Sequence, residues 1–311
     1  MTDTVTPPIY RGRFAPSPTG PLHFGSLVAA LGSFLQARAH GGEWWLRIED
    51  IDPPREAPGA RDAILAGLEA HGLHWDGPVR YQSDRHERYA AALDQLAAGG
   101  RLFACDCTRK RIAEYHNSRG GELRYPGWCR ERGLEFAPGR ALRLDTRRLE
   151  ITFHDAIQGR QTVRLEAAGG DFVLRRSDGL FSYQLAVALD DADQGMTEVV
   201  RGSDLLESTP RQIAIQQLLS LPTPRYAHLP VAVDASGRKL SKQNRAPALD
   251  LRRAGENLWQ ALRFLGQNPP ADLRRAEPVT LLEWARAQWR LKSVPQMAAM
   301  EVAPDADPSG E

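Results

Sequence analysis

RFAPSPTGPLHFGS, at residues 13–26, connects a predicted strand to a predicted helix and decides the fold. The residues from Ile9 to Ala15 are typical of a short strand, and from Leu27 to Leu35 the apolar residues recur at helical spacing. A loop between a strand and a helix favours phosphate, because free backbone N–H groups and the positive end of the helix dipole meet there. Gly20 and Gly25 would let a nucleotide approach the backbone closely. Taken alone, a loop of this composition is more often an ordinary turn.

The segments that follow alternate between strand and helix. Trp44 to Ile48 has a buried-strand pattern, and Ala57 to His71 has a helical one. Asp84 and Glu87 have the spacing of a capping box before a third helix. This alternation predicts a right-handed parallel α/β layer. Over residues 103–175 the pattern becomes irregular and Arg-rich, which indicates an inserted module.

Regular patterns return in the second half of the chain. Tyr183 to Leu189 resumes the alternation, and Thr209-Pro210 opens a further helix, for which proline in the first turn is well suited. Residues 254–293 indicate a small helical subdomain. The acidic residues 301–311 predict a disordered tail.

Composition limits the class of protein. The chain has 311 residues, of which 42% are hydrophobic and 25% charged, as in a soluble globular protein. No run of 18 apolar residues is present and Met1 to Ile9 is polar, so we expect no membrane contact and a cytoplasmic location. The net charge is +1, but residues 101–148 hold twelve Lys/Arg against six Asp/Glu. That excess suits a local nucleic-acid patch or an ordinary solvated face.

Three cysteines, Cys105, Cys107 and Cys129, lie within 25 residues of one another. Three thiols cannot pair completely, and a cytoplasmic protein does not rely on disulfides. Their clustering therefore points toward a metal, although three unrelated thiols remain an alternative.

A second loop, from Lys239 to Gln243, carries two lysines three residues apart beside a serine. Together with the first loop it resembles the paired signatures of the class I aminoacyl-tRNA synthetases: His23 to Ser26 is similar to their HIGH motif, and Lys239 to Gln243 to their KMSKS loop. Residues 48–52 and 200–206 resemble the glutamyl branch of this family. The resemblance covers roughly residues 9–265.

This resemblance implies a Rossmann-type doubly wound parallel sheet with a zinc-bearing insert and a small C-terminal helical subdomain. The expected catalytic domain has two halves, residues 9–102 and residues 183–245, and the second half carries the lysine loop. Between them lies the zinc-binding and acceptor insert at residues 103–182. The helical subdomain at residues 246–300 and the disordered tail at residues 301–311 follow. We expect the chain to act as a monomer.

Within this branch the chain resembles the group of glutamyl-Q tRNA(Asp) synthetases. Only 68 residues follow Gln243, fewer than the anticodon-binding region of a full glutamyl-tRNA synthetase needs. The resemblance implies that ATP and L-glutamate form glutamyl-adenylate without tRNA, and that glutamate then passes to the queuosine base of tRNA(Asp). Two alternatives remain: a truncated glutamyl-tRNA synthetase that charges the 3′ end of tRNA(Glu), and a glutamate- or RNA-binding paralogue without turnover.

The resemblance also assigns roles to residues. His23 and Lys242 are the expected catalytic residues, since they would stabilise the phosphates during attack on ATP. Mg²⁺ is expected to arrive with ATP. The expected ATP-binding residues are Gly25, Ser26, Lys239, Ser241 and Lys242. The expected glutamate-binding residues are Arg13, Phe14, Ala15, Pro16, Ser17, Glu49, Tyr183 and Arg201.

Two arginines and one acid carry the glutamate prediction. Arg13 and Arg201 would bind carboxylate oxygens, because a guanidinium can donate two parallel hydrogen bonds. Glu49 would bind the α-ammonium group. Each could instead form an ordinary ion pair within the protein.

For the metal, the resemblance implies one structural Zn²⁺ held by Cys105, Cys107, Tyr125 and Cys129. Three thiolates and one harder ligand suit tetrahedral zinc. Tyrosine is an unusual ligand, since the phenol must lose its proton. His116 lies in the same segment and is chemically an easier fourth ligand, so the two stay open.

Overall fold

A computed structural model describes residues 9–117, 124–240 and 247–302. The first part of the chain forms a parallel sheet of three strands in the order β1-β2-β3, with a helix after each strand. These elements are β1 (Arg11–Phe14), α1 (Phe24–Ala39), β2 (Glu43–Ile48), α2 (Ala60–Ala70), β3 (Arg80–Tyr81) and α3 (His86–Ala98). The strand, loop and helix around residues 13–26 therefore form as the sequence predicts.

The start of α3 differs from the prediction. A 3-10 turn occupies Gln82–Arg85, so Asp84 lies inside that turn and not at the helix cap. The N-cap is Arg85, which makes no side-chain cap hydrogen bond. The predicted capping box of Asp84 and Glu87 is wrong, because this turn brings Ser83 to Asp50, which accepts both the Ser83 N–H and its hydroxyl at 2.8 Å.

The middle of the chain adds a small antiparallel sheet in the order β4-β5-β8 and one short helix. Its members are β4 (Leu102–Cys105), α4 (Arg109–Asn117), β5 (Ala141–Leu144) and β8 (Val173–Arg175). Cys105, Tyr125 and Cys129 are buried in one apolar cluster at this sheet, together with Phe103.

The second part of the chain forms a four-stranded sheet in the order β7-β6-β10-β9. Its elements are β6 (Glu150–Asp155), β7 (Gly159–Arg164), α5 (Tyr183–Asp193), β9 (Glu198–Gly202), α6 (Thr209–Leu218) and β10 (Arg225–Leu229). Strand β10 is parallel to both β9 and β6, whereas β6 and β7 form an antiparallel hairpin. This hairpin lies in the stretch predicted to be an insert, yet it extends the sheet of the second part.

The two parallel layers meet between β1 and β9. The Thr197 N–H donates to the Arg11 carbonyl at 2.9 Å, and the Arg11 N–H donates to Thr197 Oγ1 at 2.9 Å. The carboxyl ends of β1, β2, β9 and β10 consequently open at one edge. Open parallel sheets bind ligands outside the carboxyl ends of their strands, at the point where the strand order reverses.

Helix α1 lies at the centre of the largest apolar core. Leu27, Leu31 and Leu35 are fully buried, and burial of each such side chain contributes roughly 1.5–3 kcal/mol. At Gly32 an added Cβ would lie 2.6 Å from a methyl carbon of Leu229, so this glycine permits the close contact between α1 and β10.

The C-terminal residues pack on the same core. Helices α7 (Ala254–Phe264) and α8 (Pro278–Gln288) contribute Leu258, Leu262 and Leu281 to the cluster that contains α1. The short strand β11 (Val231–Val233) pairs in parallel with β12 (Ala299–Glu301). Glu301, predicted to begin a disordered tail, is thus in a strand, while residues 303–311 lie outside the described part. The predicted division into domains stays a prediction.

No helix within the described ranges is both long and apolar enough to span a bilayer.

Candidate active site

A cavity of about 560 Å³ opens at the shared carboxyl edge of the parallel strands. It brings together most of the predicted glutamate- and ATP-site residues from five separate stretches of chain. Those that line it are Arg13, Phe14, Ala15, Pro16, Ser17, His23, Gly25, Ser26, Glu49, Tyr183, Arg201 and Lys239. Ser241 and Lys242 lie outside the described residues, so their placement stays a prediction.

His23 sits at the N-cap of α1, where the free N–H groups of the first turn meet the cavity. The Ser26 N–H donates to His23 Nδ1 at 3.3 Å, and the His23 N–H donates to Ser26 Oγ at 2.7 Å. This reciprocal capping box fixes the histidine ring at the positive end of the helix dipole. The arrangement suits a phosphate-bearing ligand.

The second loop meets the first at Gly25. An added Cβ on Gly25 would lie 3.1 Å from the carbonyl oxygen of Leu240, so glycine permits the close approach of the two motifs. The Leu240 N–H donates to the Ala232 carbonyl at 2.8 Å, which connects the loop to β11. Lys239 donates to Asp204 Oδ2 at 2.5 Å on the cavity wall.

Arg13 is 3% exposed and pairs with an acid of the protein. Its Nε and Nη2 donate to the two carboxylate oxygens of Asp191, both at 3.1 Å. Asp191 also contacts Nη1 of the fully buried Arg47 at 2.8 Å. Burial alone would raise the pKa of Asp191, but the two guanidinium groups outweigh it and hold that pKa at about 2. Much of the donor capacity of Arg13 is therefore already in use.

Glu49 is 8% exposed and joins this network through Arg47. Arg47 Nη2 donates to Glu49 Oε1 at 3.3 Å. Burial raises the pKa of Glu49 to about 7 even though Arg47 and Arg13 act to lower it. A carboxylate that is this poorly solvated gains most from a cationic ligand group.

Arg201 is 4% exposed and differs from Arg13 in its partners. It donates to His228 Nε2 at 3.1 Å, to Tyr183 Oη at 3.3 Å, and, through Nη2, to Thr209 and Gln212 at 2.8 Å each. All of these acceptors are neutral. Within the described ranges Arg201 forms no ion pair with a carboxylate. A buried positive charge held only by neutral groups favours an anionic ligand in the cavity beside it.

A second cavity, also about 560 Å³, adjoins the first and shares Ser17, Glu49 and Tyr183 with it. Its outer wall comes from the middle of the chain and includes Arg109 of α4 and Arg176. Arg176 Nη1 donates to Asp52 at 3.3 Å on the same wall. The cavity is thus positioned to receive a polar group that reaches the first site from the side of the small antiparallel sheet.

Cys105, Cys107 and Cys129 come together as predicted, with their sulfur atoms all within 4.8 Å of one another. Cys107 Sγ and Cys129 Sγ are 3.5 Å apart. Two ligands of a tetrahedral zinc lie about 3.8 Å apart, given a Zn–S bond of about 2.3 Å. Burial and the neighbouring sulfur atoms raise the pKa of Cys107 to about 12, so this thiol stays protonated unless a divalent cation binds the cluster.

Tyr125 completes the cluster geometrically. Its hydroxyl lies 3.5 Å from Cys105 Sγ and accepts the Cys129 N–H at 2.9 Å. Burial raises the pKa of Tyr125, so this phenol ionises only beside a cation. The buried Arg143 donates to Cys105 Sγ at 3.3 Å and offsets negative charge in the cluster. The donor set fits zinc, whereas the side chain of His116 lies outside the described part.

Three buried residues of this region were missed in the sequence. Asp191 and the adjacent Asp190 end the apolar run of α5, and His228 lies in an otherwise apolar stretch of β10. Asp155 ends β6 and contacts His228. The available signal was an aspartate or histidine within a pattern that is otherwise typical of buried residues. The sequence did not reveal their partners, which are distant along the chain.

Comparison with known proteins shows the family to which the fold belongs. The family described as tRNA synthetases class I (E and Q), catalytic domain, matches residues 10–266. A relative from Dechloromonas aromatica, named glutamyl-Q tRNA(Asp) synthetase, is 55% identical over 291 residues, covering 93% of this chain and 97% of the relative. A relative of the same name from Pseudomonas putida is 50% identical over 304 residues, covering 98% of both chains.

Solved structures show the same fold. A glutamate tRNA ligase from Elizabethkingia meningosepticum, in complex with its amino acid, superposes with a TM-score of 0.79 at 24% identity, covering 95% of this chain and 67% of that chain. The glutamate-tRNA synthetase from Elizabethkingia anophelis gives a TM-score of 0.78 at 25% identity, covering 95% of this chain and 68% of that chain.

Proposed function

Because the chain belongs to the class I tRNA synthetases of the E and Q type, we propose that it activates L-glutamate with ATP to form glutamyl-adenylate. The glutamate α-carboxylate attacks the α-phosphorus and pyrophosphate leaves. No covalent bond to the protein is required, so positioning and charge stabilisation account for most of the rate.

The observation that carries this proposal is the charge of Arg201. Its guanidinium is buried on the cavity wall among neutral acceptors, so a substrate carboxylate would supply the missing anion. Glu49, across the same cavity, would attract the α-ammonium group. Glutamine would leave the charge of Arg201 without an anion, and sites of this kind reject the wrong substrate by roughly 10⁴–10⁵-fold.

The other end of the cavity would hold ATP. His23 and the N-terminal N–H groups of α1 would bind the nucleotide near Gly25 and Ser26. Lys239 lines the same end, and Ser241 and Lys242 follow it by two and three positions in the loop. Mg²⁺ would enter with the triphosphate, since ATP supplies oxygen ligands of the kind that this ion prefers.

We further propose that Cys105, Cys107, Tyr125 and Cys129 hold one structural zinc ion. The ion would neutralise three thiolates and cross-link β4 to the segment that carries Tyr125 and Cys129. It would thereby fix the small antiparallel sheet that forms the outer wall of the second cavity.

The acceptor follows from the relatives. They are named glutamyl-Q tRNA(Asp) synthetases and match nearly the whole chain, which supports transfer of glutamate to the queuosine base of tRNA(Asp). The second cavity opens beside Glu49 and Tyr183 and has room for such a base. The ester would form on a hydroxyl of the cyclopentene ring. We place the reaction in the cytoplasm, with the chain acting as a monomer of the predicted domain layout.

The deciding experiment is to map radiolabelled glutamate on purified tRNA. ATP–pyrophosphate exchange that depends on glutamate and needs no tRNA is expected first. Label should then enter tRNA(Asp) that carries queuosine, but not the same tRNA lacking queuosine, and mild base should release it. Label on the 3′ end of tRNA(Glu) would instead identify a truncated glutamyl-tRNA synthetase, and absence of exchange would identify a binding protein.

A further inference from the structure

We infer that Asp155 and His228 are positioning residues that orient Arg201 for the substrate carboxylate without neutralising its charge. This inference rests on the proposed glutamate activation and adds two residues to it. Neither residue lines the first cavity; both act through Arg201.

The three side chains form one buried chain of hydrogen bonds. Asp155 and His228 are both 0% exposed. Asp155 Oδ2 accepts a hydrogen bond from His228 Nδ1 at 2.6 Å, and His228 Nε2 accepts one from Arg201 Nε at 3.1 Å. Asp155 ends β6, whereas His228 and Arg201 face each other across β10 and β9. The β6–β7 hairpin is therefore connected to the substrate site through these hydrogen bonds.

The hydrogen bonds assign the proton on His228. Asp155 Oδ1 already accepts the N–H groups of Ile157, Gln158 and His228 at 3.0, 2.8 and 3.1 Å. Oδ2 is left to accept from Nδ1, so the proton resides on Nδ1 and the lone pair on Nε2 faces Arg201. Burial, reinforced by the charge of Arg201, lowers the pKa of His228, which keeps the ring neutral.

This arrangement differs in kind from the environment of Arg13. Asp191 contacts Arg13 directly and offsets part of its charge. At Arg201 the neutral imidazole of His228 lies between the guanidinium and Asp155. The Asp155 carboxylate therefore orients the imidazole, while Arg201 keeps its charge for a ligand. A charged hydrogen bond from a substrate carboxylate then completes the site.

Replacement of Asp155 by asparagine reverses the direction of the hydrogen bond between this residue and His228. The three N–H groups retain the amide oxygen at the Oδ1 position, so the amide nitrogen faces His228 Nδ1. The ring must then accept at Nδ1 and carry its proton on Nε2, where it opposes the Arg201 Nε–H. Two donors cannot bond, so the Arg201 Nε–H loses its acceptor, and the Nε2 proton turns instead to Thr209 Oγ1, which lies 3.1 Å away. This change of partners parallels the effect of a wrong histidine tautomer in a catalytic triad.

The test compares wild type and Asp155→Asn by ATP–pyrophosphate exchange, with glutamate and ATP varied separately. We expect the KM for glutamate to rise about 10- to 100-fold, as for loss of one charge-assisted hydrogen bond, with the KM for ATP within about twofold. Side-chain ¹⁵N NMR of His228 should show the proton moving from Nδ1 to Nε2. An unchanged glutamate KM, or an equal rise for both substrates, overturns the inference.

A second pair of variants decides the matter should Asp155→Asn not fold. His228→Asn keeps an amide that can reach Asp155 but has no acceptor near Arg201, whereas His228→Gln places an amide oxygen near the Nε2 position. The glutamine variant should bind glutamate more tightly than the asparagine variant, and equal KM values contradict the inference. Failure of the wild type itself to exchange with glutamate would refute the proposed function instead.

Discussion

Replacement of Arg201 by methionine should separate substrate binding from stability. The change removes the guanidinium that is proposed to bind the substrate carboxylate and keeps an unbranched apolar side chain of adequate length. Loss of a buried charge pair with the substrate costs about 3–5 kcal/mol, which corresponds to roughly 10²–10⁴-fold in kcat/KM for glutamate.

The same change should cost little stability in the free protein. Arg201 donates to four side chains, namely His228, Tyr183, Thr209 and Gln212, and each such bond contributes about 1 kcal/mol net. Against this loss stands the desolvation of a buried charge without an ion partner in the described structure, which is several kcal/mol. We expect the free energy of unfolding of the variant to lie within about 2 kcal/mol of wild type.

Asp191→Asn is the matched control. It leaves Arg13 and Arg47 buried without their shared carboxylate, so it should lose about 3–5 kcal/mol of stability. The pH dependence of stability should show the same contribution, because the folded protein holds the pKa of Asp191 at about 2, below its ordinary value. Its contribution is present above the unfolded pKa and is lost as the pH falls toward 2.

Urea unfolding at neutral pH, with and without glutamate, measures both effects. Glutamate at a hundred times its Kd should stabilise wild type by about 2.7 kcal/mol and leave Arg201→Met unchanged. If the free Arg201→Met protein is destabilised as much as Asp191→Asn, or if glutamate still stabilises it, the reasoning about an uncompensated charge is refuted.

Three further outcomes are expected. Burial raises the pKa of Glu49 to about 7, so the carboxylate needed for the α-ammonium group forms only as the pH rises through 7. The KM for glutamate, measured by steady-state pyrophosphate exchange, should therefore fall between pH 6 and pH 8. The Glu49→Gln variant should have a high KM that does not change with pH. Cys129→Ala should release the one zinc ion per chain, measured by plasma mass spectrometry, while His116→Ala should retain it. Loss of zinc from the histidine variant as well would contradict Tyr125 as the fourth ligand. Lys242→Ala should lower the rate of exchange about 10²–10³-fold, with the exposed Arg238→Ala as control; comparable rates for the two variants would remove Lys242 from the catalytic site.

Local sequence predicted those parts of the site whose chemistry lies within one short stretch. The loop before α1 carries its own turn residues, N-cap and glycines, so its strand–loop–helix form and phosphate preference follow without knowledge of distant residues. The clustering of Cys105, Cys107 and Cys129 is likewise a matter of short spacing, and the sulfur atoms do converge. The prediction failed at the start of α3 because Asp50, 33 residues earlier in the sequence, binds Ser83 in the 3-10 turn before the helix.

Tertiary structure decided which of two similar arginines pairs with a carboxylate of the protein. Arg13 and Arg201 occupy equivalent strand ends, but Asp191 pairs with the first, 178 residues away, and a neutral histidine faces the second. Asp155, which orients that histidine, lies in a hairpin that sequence assigned to the insert. Periodicity and motifs report the chemistry of each residue, whereas charge compensation depends on which side chains the folded sheets bring within about 3 Å.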